Sequence, residues 1–249
     1  MSRLPRFAGQ ENLSLLVAYI TGVTGLVWHT WTFWFLVVAP AGISLSIGNT
    51  ASFVGLQLAL TALVGASSAG LRGLCGGLLL LAAVAALLTV EAPSAPGEVV
   101  TWPIRAHVLI SLFAYGLLAI GAIVACFALI QDRRLRAGTF TSANRLFAPL
   151  ETTETLLFGL TTAGFLMLLI AVSSGFAFVE NLFAQHLVHK TVLSLLALAM
   201  FGVLLAGRHF AGWRGRRAVY LYLWGFLILC LAYFGSRYIL EEILGRSWS

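Results

Sequence analysis

Charge is the scarcest property of this chain. Of its 249 residues 10% are charged and 60% hydrophobic, and the mean hydropathy is +0.96. A water-soluble domain of this size cannot clothe its surface with so few charges, so the composition excludes one and implies a polytopic membrane protein. Acidic residues are rarer than basic ones, nine against fifteen, giving a net charge of +6. That excess does not indicate nucleic acid, because the arginines sit in short loops between apolar runs, where they act as topology signals. Cysteine is almost lacking. Cys75, Cys126 and Cys230 lie far apart inside apolar segments, with no C-x-x-C and no C-x-x-C-H. Thiol redox chemistry and covalent haem attachment on this chain are thereby excluded. No nucleotide loop, activated nucleophile or acid–base pair is recognisable, so turnover in the ordinary sense is not expected. Nor is there a Gly/Pro-broken helix pair or inverted repeat of the kind small transporters use.

What the chain has in abundance is long apolar runs. A membrane helix needs roughly 20 apolar residues to cross about 30 Å of hydrocarbon. Seven stretches qualify, at approximately 12–36, 44–66, 73–90, 106–131, 155–179, 190–207 and 218–240. They lack the alternation of barrel strands, and no connection is long enough for a soluble domain. The expectation is an all-α, seven-helix transmembrane bundle, one domain over 1–249. The first run, which follows Arg3 and Arg6, is too long for a cleaved signal peptide and is expected to remain as a span.

Basic residues orient this map. Arg3, Arg6, Arg72, Arg133, Arg134, Arg136, Arg145, Arg208, Arg214, Arg216 and Arg217 fall on one side, and only Arg105, Lys190, Arg237 and Arg246 on the other. The split predicts a cytoplasmic N-terminus and an external, periplasmic C-terminus. It also sorts the five histidines. His107 falls at the outer end of the fourth run, and His186 and His189 at the outer approach to the sixth. His29 falls inside the first run, roughly 10 Å below its outer end at 1.5 Å per residue. His209, in the basic loop RHFAGWRGRR, falls on the cytoplasmic side, about 30 Å away, and shares no ligand with the rest.

Neutral imidazole ligates haem iron and divalent metals, so a converging pair of outer histidines is chemically credible. His186 and His189, three apart, share one face and suit a divalent metal, whereas bis-histidine haem takes ligands from opposite sides of the porphyrin. That requirement pairs His107 with one of them. The competing reading is that these histidines are interfacial and bind nothing, and the spacing leaves both open. His107, Ser111 and Tyr115 form a polar stripe at intervals of four, and Asn49 and Gln57 a similar line; both are expected to face the interior. Arg237 near a span end needs an anionic partner, either Glu241 or a ligand carboxylate. Trp28, Trp31 and Trp34 around His29 suggest an aromatic belt. Gly121 and the run GLRGLCGG are expected to mark close helix approach.

The second half carries a recognisable order. RAHVLISLFAYGLLAIGAIVACFALIQ, PLETTETLLFGLTTAGFLMLLIAVSSGFAF, HKTVLSLLALAMFGVLLAGRHFAGWRGRRA and LAYFGSRYI resemble the cytochrome c assembly protein family, with the nearest similarity to its small inner-membrane branch, the YpjD- and HemX-like proteins. In the first half, LVWHTWTFW followed by GISLSIGNTASFVG is similar to that branch's early helices. The branch usually has one more helix before them, so the chain is expected to be shortened at its start. The resemblance implies haem handling at the outer face of a bacterial inner membrane, with b-type, non-covalent haem. It implies that His107 is one of a haem-holding histidine pair, with other membrane proteins of cytochrome assembly as partners. The family's tryptophan-rich signature is replaced here by ENLFAQHLVHK, and a second external histidine beyond AYFG gives way to Arg237 and Tyr238. His186 and His189 are therefore substitute ligands by position, His29 is a reserve, and Arg105 and Arg237 are candidates to pair the propionates. The alternative is a haem-free assembly or regulatory subunit whose histidines are interfacial only.

Overall fold

The computed structural model describes residues 11–38, 47–68, 70–88, 102–138, 149–178 and 188–232. Every regular element among them is helical: α1 (Glu11–Phe33), α2 (Ile47–Gly65), α3 (Arg72–Ala86), α4 (Trp102–Arg136), α5 (Leu150–Phe178), α6 (Val188–Ala211) and α7 (Gly215–Cys230), with a π-helical turn, Trp34–Val38, prolonging α1. Each helix falls on one of the seven apolar runs. Among the described residues four stretches are long and apolar enough to cross a membrane, Leu13–Leu36, Trp102–Arg136, Leu150–Ala177 and Val188–Ala211; α3 is a shorter apolar helix. α4 and α5 outrun their apolar segments because polar ends continue the helical turn. The last turn of α4 carries Arg133, Arg134 and Arg136, which complement the negative end of the helix dipole, and Gly138 follows in the left-handed conformation that ends the helix.

The chain divides into two compact units, Met1–Val100 with Ile130–Thr153, and Thr101–Leu129 with Glu154–Ser249. In the first, α2 and α3 form a tight hairpin. The connection after Gly65 is short, and Arg72 Nε donates to the Ala66 carbonyl at 3.4 Å to close it. The helices approach closely at Gly55, where a Cβ would stand 2.7 Å from that of Ala85 and 3.2 Å from the Ala82 carbonyl. α1 packs on α2 and otherwise shows its side chains outward, Trp28, Trp31 and Trp34 among them. Of the glycines of GLRGLCGG, Gly70 lies against Pro149, whose Cδ would stand 3.5 Å from an added Cβ, but two others do not mark a close approach as expected. Gly76 and Gly77 have nothing within 4 Å, because Leu74, Cys75 and Leu78 form the buried face of α3.

In the second unit Tyr222 of α7 is wholly buried and donates its hydroxyl to the Leu118 carbonyl of α4 at 2.7 Å, satisfying the one polar group the ring brings inside. Its hydroxyl occupies the space a Cβ on Gly121 would need, which is why that position is glycine. Phe201 of α6 meets the same ring edge-on. α6 and α7 are joined by a three-residue turn, Gly212–Arg214, with Gly212 and the first residue of α7, Gly215, at φ +62°, where an L side chain would be strained.

Candidate functional site

His107 lies on the second turn of α4, half-buried. Its Nδ1 is 2.8 Å from Ser174 Oγ on α5, across sixty-seven residues of sequence. Ser174 Oγ also donates to the Ala171 carbonyl at 2.9 Å. A hydroxyl has one proton, and a carbonyl can only accept, so that proton is committed to Ala171 and Ser174 must accept from His107. The neutral ring therefore carries its proton on Nδ1 and its lone pair on Nε2. This is the arrangement of metal-ligating histidines, whose non-ligating nitrogen donates to a fixed acceptor that sets tautomer and orientation. Gly175 lets the ring lie against α5, since a Cβ there would stand 3.2 Å from His107 Cε1. Lys190, on the first turn of α6 and half-buried, is close enough for its charge to act on the same ring.

His29 is held differently. Its Nε2 is 2.8 Å from Ser52 Oγ on α2, and its ring edge faces Gly55. The nitrogen that usually reaches a metal is thus engaged within the α1–α2 pair, and ligation through it requires that bond to open. His189 is exposed at the start of α6, one residue before Lys190. His209 is exposed at the far end of α6 and stacks edge-on with Phe210. His186, Arg237 and Glu241 lie outside the described residues. Arg105 is half-buried, but two residues from His107 it projects from a different face of α4. Among the described residues no three His, Cys, Asp or Glu side chains form a metal-type cluster.

The family model described as Cytochrome C assembly protein matches residues 17–244 of the chain. The protein belongs to the cytochrome c assembly family. "Inner membrane protein YpjD" of Escherichia coli (strain K12) is 32% identical over 237 residues, covering 91% of this chain and 88% of that protein. An "Uncharacterized 28.8 kDa protein in nifR3-like 5'region" of Azospirillum brasilense is 30% identical over 141 residues, 56% of this chain and 52% of that one. No solved structure matches. With its apolar helices, this membership makes the chain a multi-pass inner-membrane protein.

For this cytochrome c assembly protein the sequence singled out His107 but not its partner. Ser174 was hidden in Ser173-Ser174-Gly175, polar residues inside an apolar span, and that polarity was the available signal. The predicted stripe of His107, Ser111 and Tyr115 is half-buried along its length, while Asn49 and Gln57 are almost fully buried.

Proposed function

We propose that this assembly-family protein binds or relays haem at the periplasmic face of the inner membrane, through seven spans with a cytoplasmic N-terminus, and that His107 Nε2 is one axial ligand of a b-type, non-covalent haem. The observation that carries this reading is the Ser174 hydrogen bond, which leaves the Nε2 lone pair available on a ring held in place. The donor set fits one side of a porphyrin. His107 supplies a neutral nitrogen, and Lys190 beside it supplies a positive charge for an anionic periphery. His189 or His186 is the second ligand, with His29 in reserve once its Ser52 bond opens. Arg237 would pair a propionate, with Arg105, on another face of α4 from His107, as the second candidate. Bound haem would supply a redox-active iron whose potential its axial ligands set. The chain's own work is to orient that group and hand it on, since covalent attachment needs thiols from another protein.

The test is spectroscopic. The protein is purified in detergent and its Soret band recorded before and after haem addition, for wild type and for His107→Ala, His186→Ala and His189→Ala. A band that forms in wild type and weakens in His107→Ala and in one of the other two is expected. A spectrum no different from free haem would overturn the proposal and leave a haem-free assembly or regulatory subunit as the function.

A further inference from the structure

The turn between α6 and α7 is built more firmly than a connection of its length requires. Trp213 N donates back to the Gly207 carbonyl at 3.0 Å, and Arg208 Nη1 donates to the Trp213 carbonyl at 3.3 Å. The Arg208 guanidinium lies over the Phe158 ring of α5, 4.5 Å from its centroid. One turn earlier on α5, Glu154 Oε1 accepts the Gly215 N–H at 2.9 Å and caps α7, whose own N-cap residue makes no side-chain bond. Glu154 is thereby committed to the backbone of the turn. Arg214, Arg216 and Arg217 are exposed on this braced support.

Aromatic and apolar side chains flank them. Phe210 is 85% exposed just before the turn, and Tyr220 and Trp224 are exposed just after it. α6 is long and apolar enough to cross a membrane, and α7 takes up the last apolar run, so in the seven-span arrangement proposed above, on which this inference rests, the arginines stand at the level of the phospholipid phosphates. An occupant here must satisfy positive charge and tolerate apolar neighbours laterally. A water-borne acidic partner meets the first condition only; a lipid meets both.

We propose that the α6–α7 turn is a binding site for the phosphate headgroup of an anionic phospholipid, with Arg214 and Arg217 as its principal contacts and Phe210 packed against the acyl region. The site does not depend on haem. Basic side chains near a membrane surface each contribute enough attraction that removing two weakens anionic-lipid binding roughly 30-fold.

The full-length protein is reconstituted in nanodiscs of phosphatidylcholine alone or with phosphatidylglycerol, and thermal unfolding and retained lipid, measured by intact-complex mass spectrometry, are compared. Wild type is expected to melt higher in phosphatidylglycerol and to keep it in preference to phosphatidylcholine. Arg214→Gln/Arg217→Gln should lose both effects while melting as wild type does in phosphatidylcholine, and Arg214→Lys/Arg217→Lys should retain them in part. Arg133→Gln/Arg134→Gln, at the end of α4, should behave as wild type. An unchanged response in Arg214→Gln/Arg217→Gln, an equal loss in the α4 variant, or the same shift from inorganic phosphate in phosphatidylcholine discs would overturn the proposal.

Discussion

Replacing Ser174 by alanine isolates the tautomer argument. The substitution removes the hydroxyl that accepts from His107 Nδ1 at 2.8 Å and leaves His107 in place. The helix itself loses little. Ser174 Oγ bonds back to the Ala171 carbonyl, and alanine is the better helix former, so α5 should be unharmed. Without its acceptor the ring is free to carry its proton on either nitrogen and to turn. Supports of this kind typically govern metal affinity by about 10–100-fold. The effect here belongs at the low end, because the Ala171 carbonyl is also within reach of the ring and takes over part of the role. The expected loss is therefore about tenfold in haem affinity, or about 1.4 kcal/mol. Haem titration followed in the Soret region measures it, with thermal unfolding of the haem-free protein as a control. Unchanged haem affinity in a folded Ser174→Ala protein would refute the claim that Ser174 prepares His107 for iron.

Other consequences follow from the packing. Tyr222→Phe should destabilise the protein by about 0.5–1.5 kcal/mol through loss of the bond to Leu118. Gly121→Ala should cost about 1–3 kcal/mol, since the new methyl meets the Tyr222 ring; thermal or denaturant unfolding in detergent reads both. Glu154→Ala should cost about 1–3 kcal/mol by stripping the cap from Gly215, and Glu154→Gln, which keeps an acceptor, should recover much of it. Gln57 is almost fully buried, and neither side-chain polar atom has a hydrogen-bond partner among the described residues. Gln57→Leu should hold or raise the melting temperature, and a large fall would reveal a partner for the amide.

The helices were legible because a bilayer demands long apolar runs and satisfied backbone, and that demand is written continuously in the sequence. Their polar ends were not, since Arg133, Arg134 and Arg136 carry α4 beyond its apolar segment by charge rather than hydropathy. Gly121 was read correctly as a close approach, whereas Gly76 and Gly77 were not; a glycine pattern reports the absence of side chains and not which face meets a neighbour. The histidines were visible by residue type and depth, but the distinction between His107 and His29 was not. It depends on which ring nitrogen meets a serine, Nδ1 at Ser174 in one case and Nε2 at Ser52 in the other. Those serines are distant in sequence, and only the packing of α4 on α5 and of α1 on α2 brings them into place.

The most direct test of His107 as an iron ligand is chemical rescue. His107→Gly removes the imidazole and leaves space beside Gly175 for a free one. The ferric haem complex of wild type should give the electron paramagnetic resonance signal of an imidazole-ligated iron, the variant should lose it, and added imidazole should restore it. A variant whose signal matches wild type without imidazole would contradict the account.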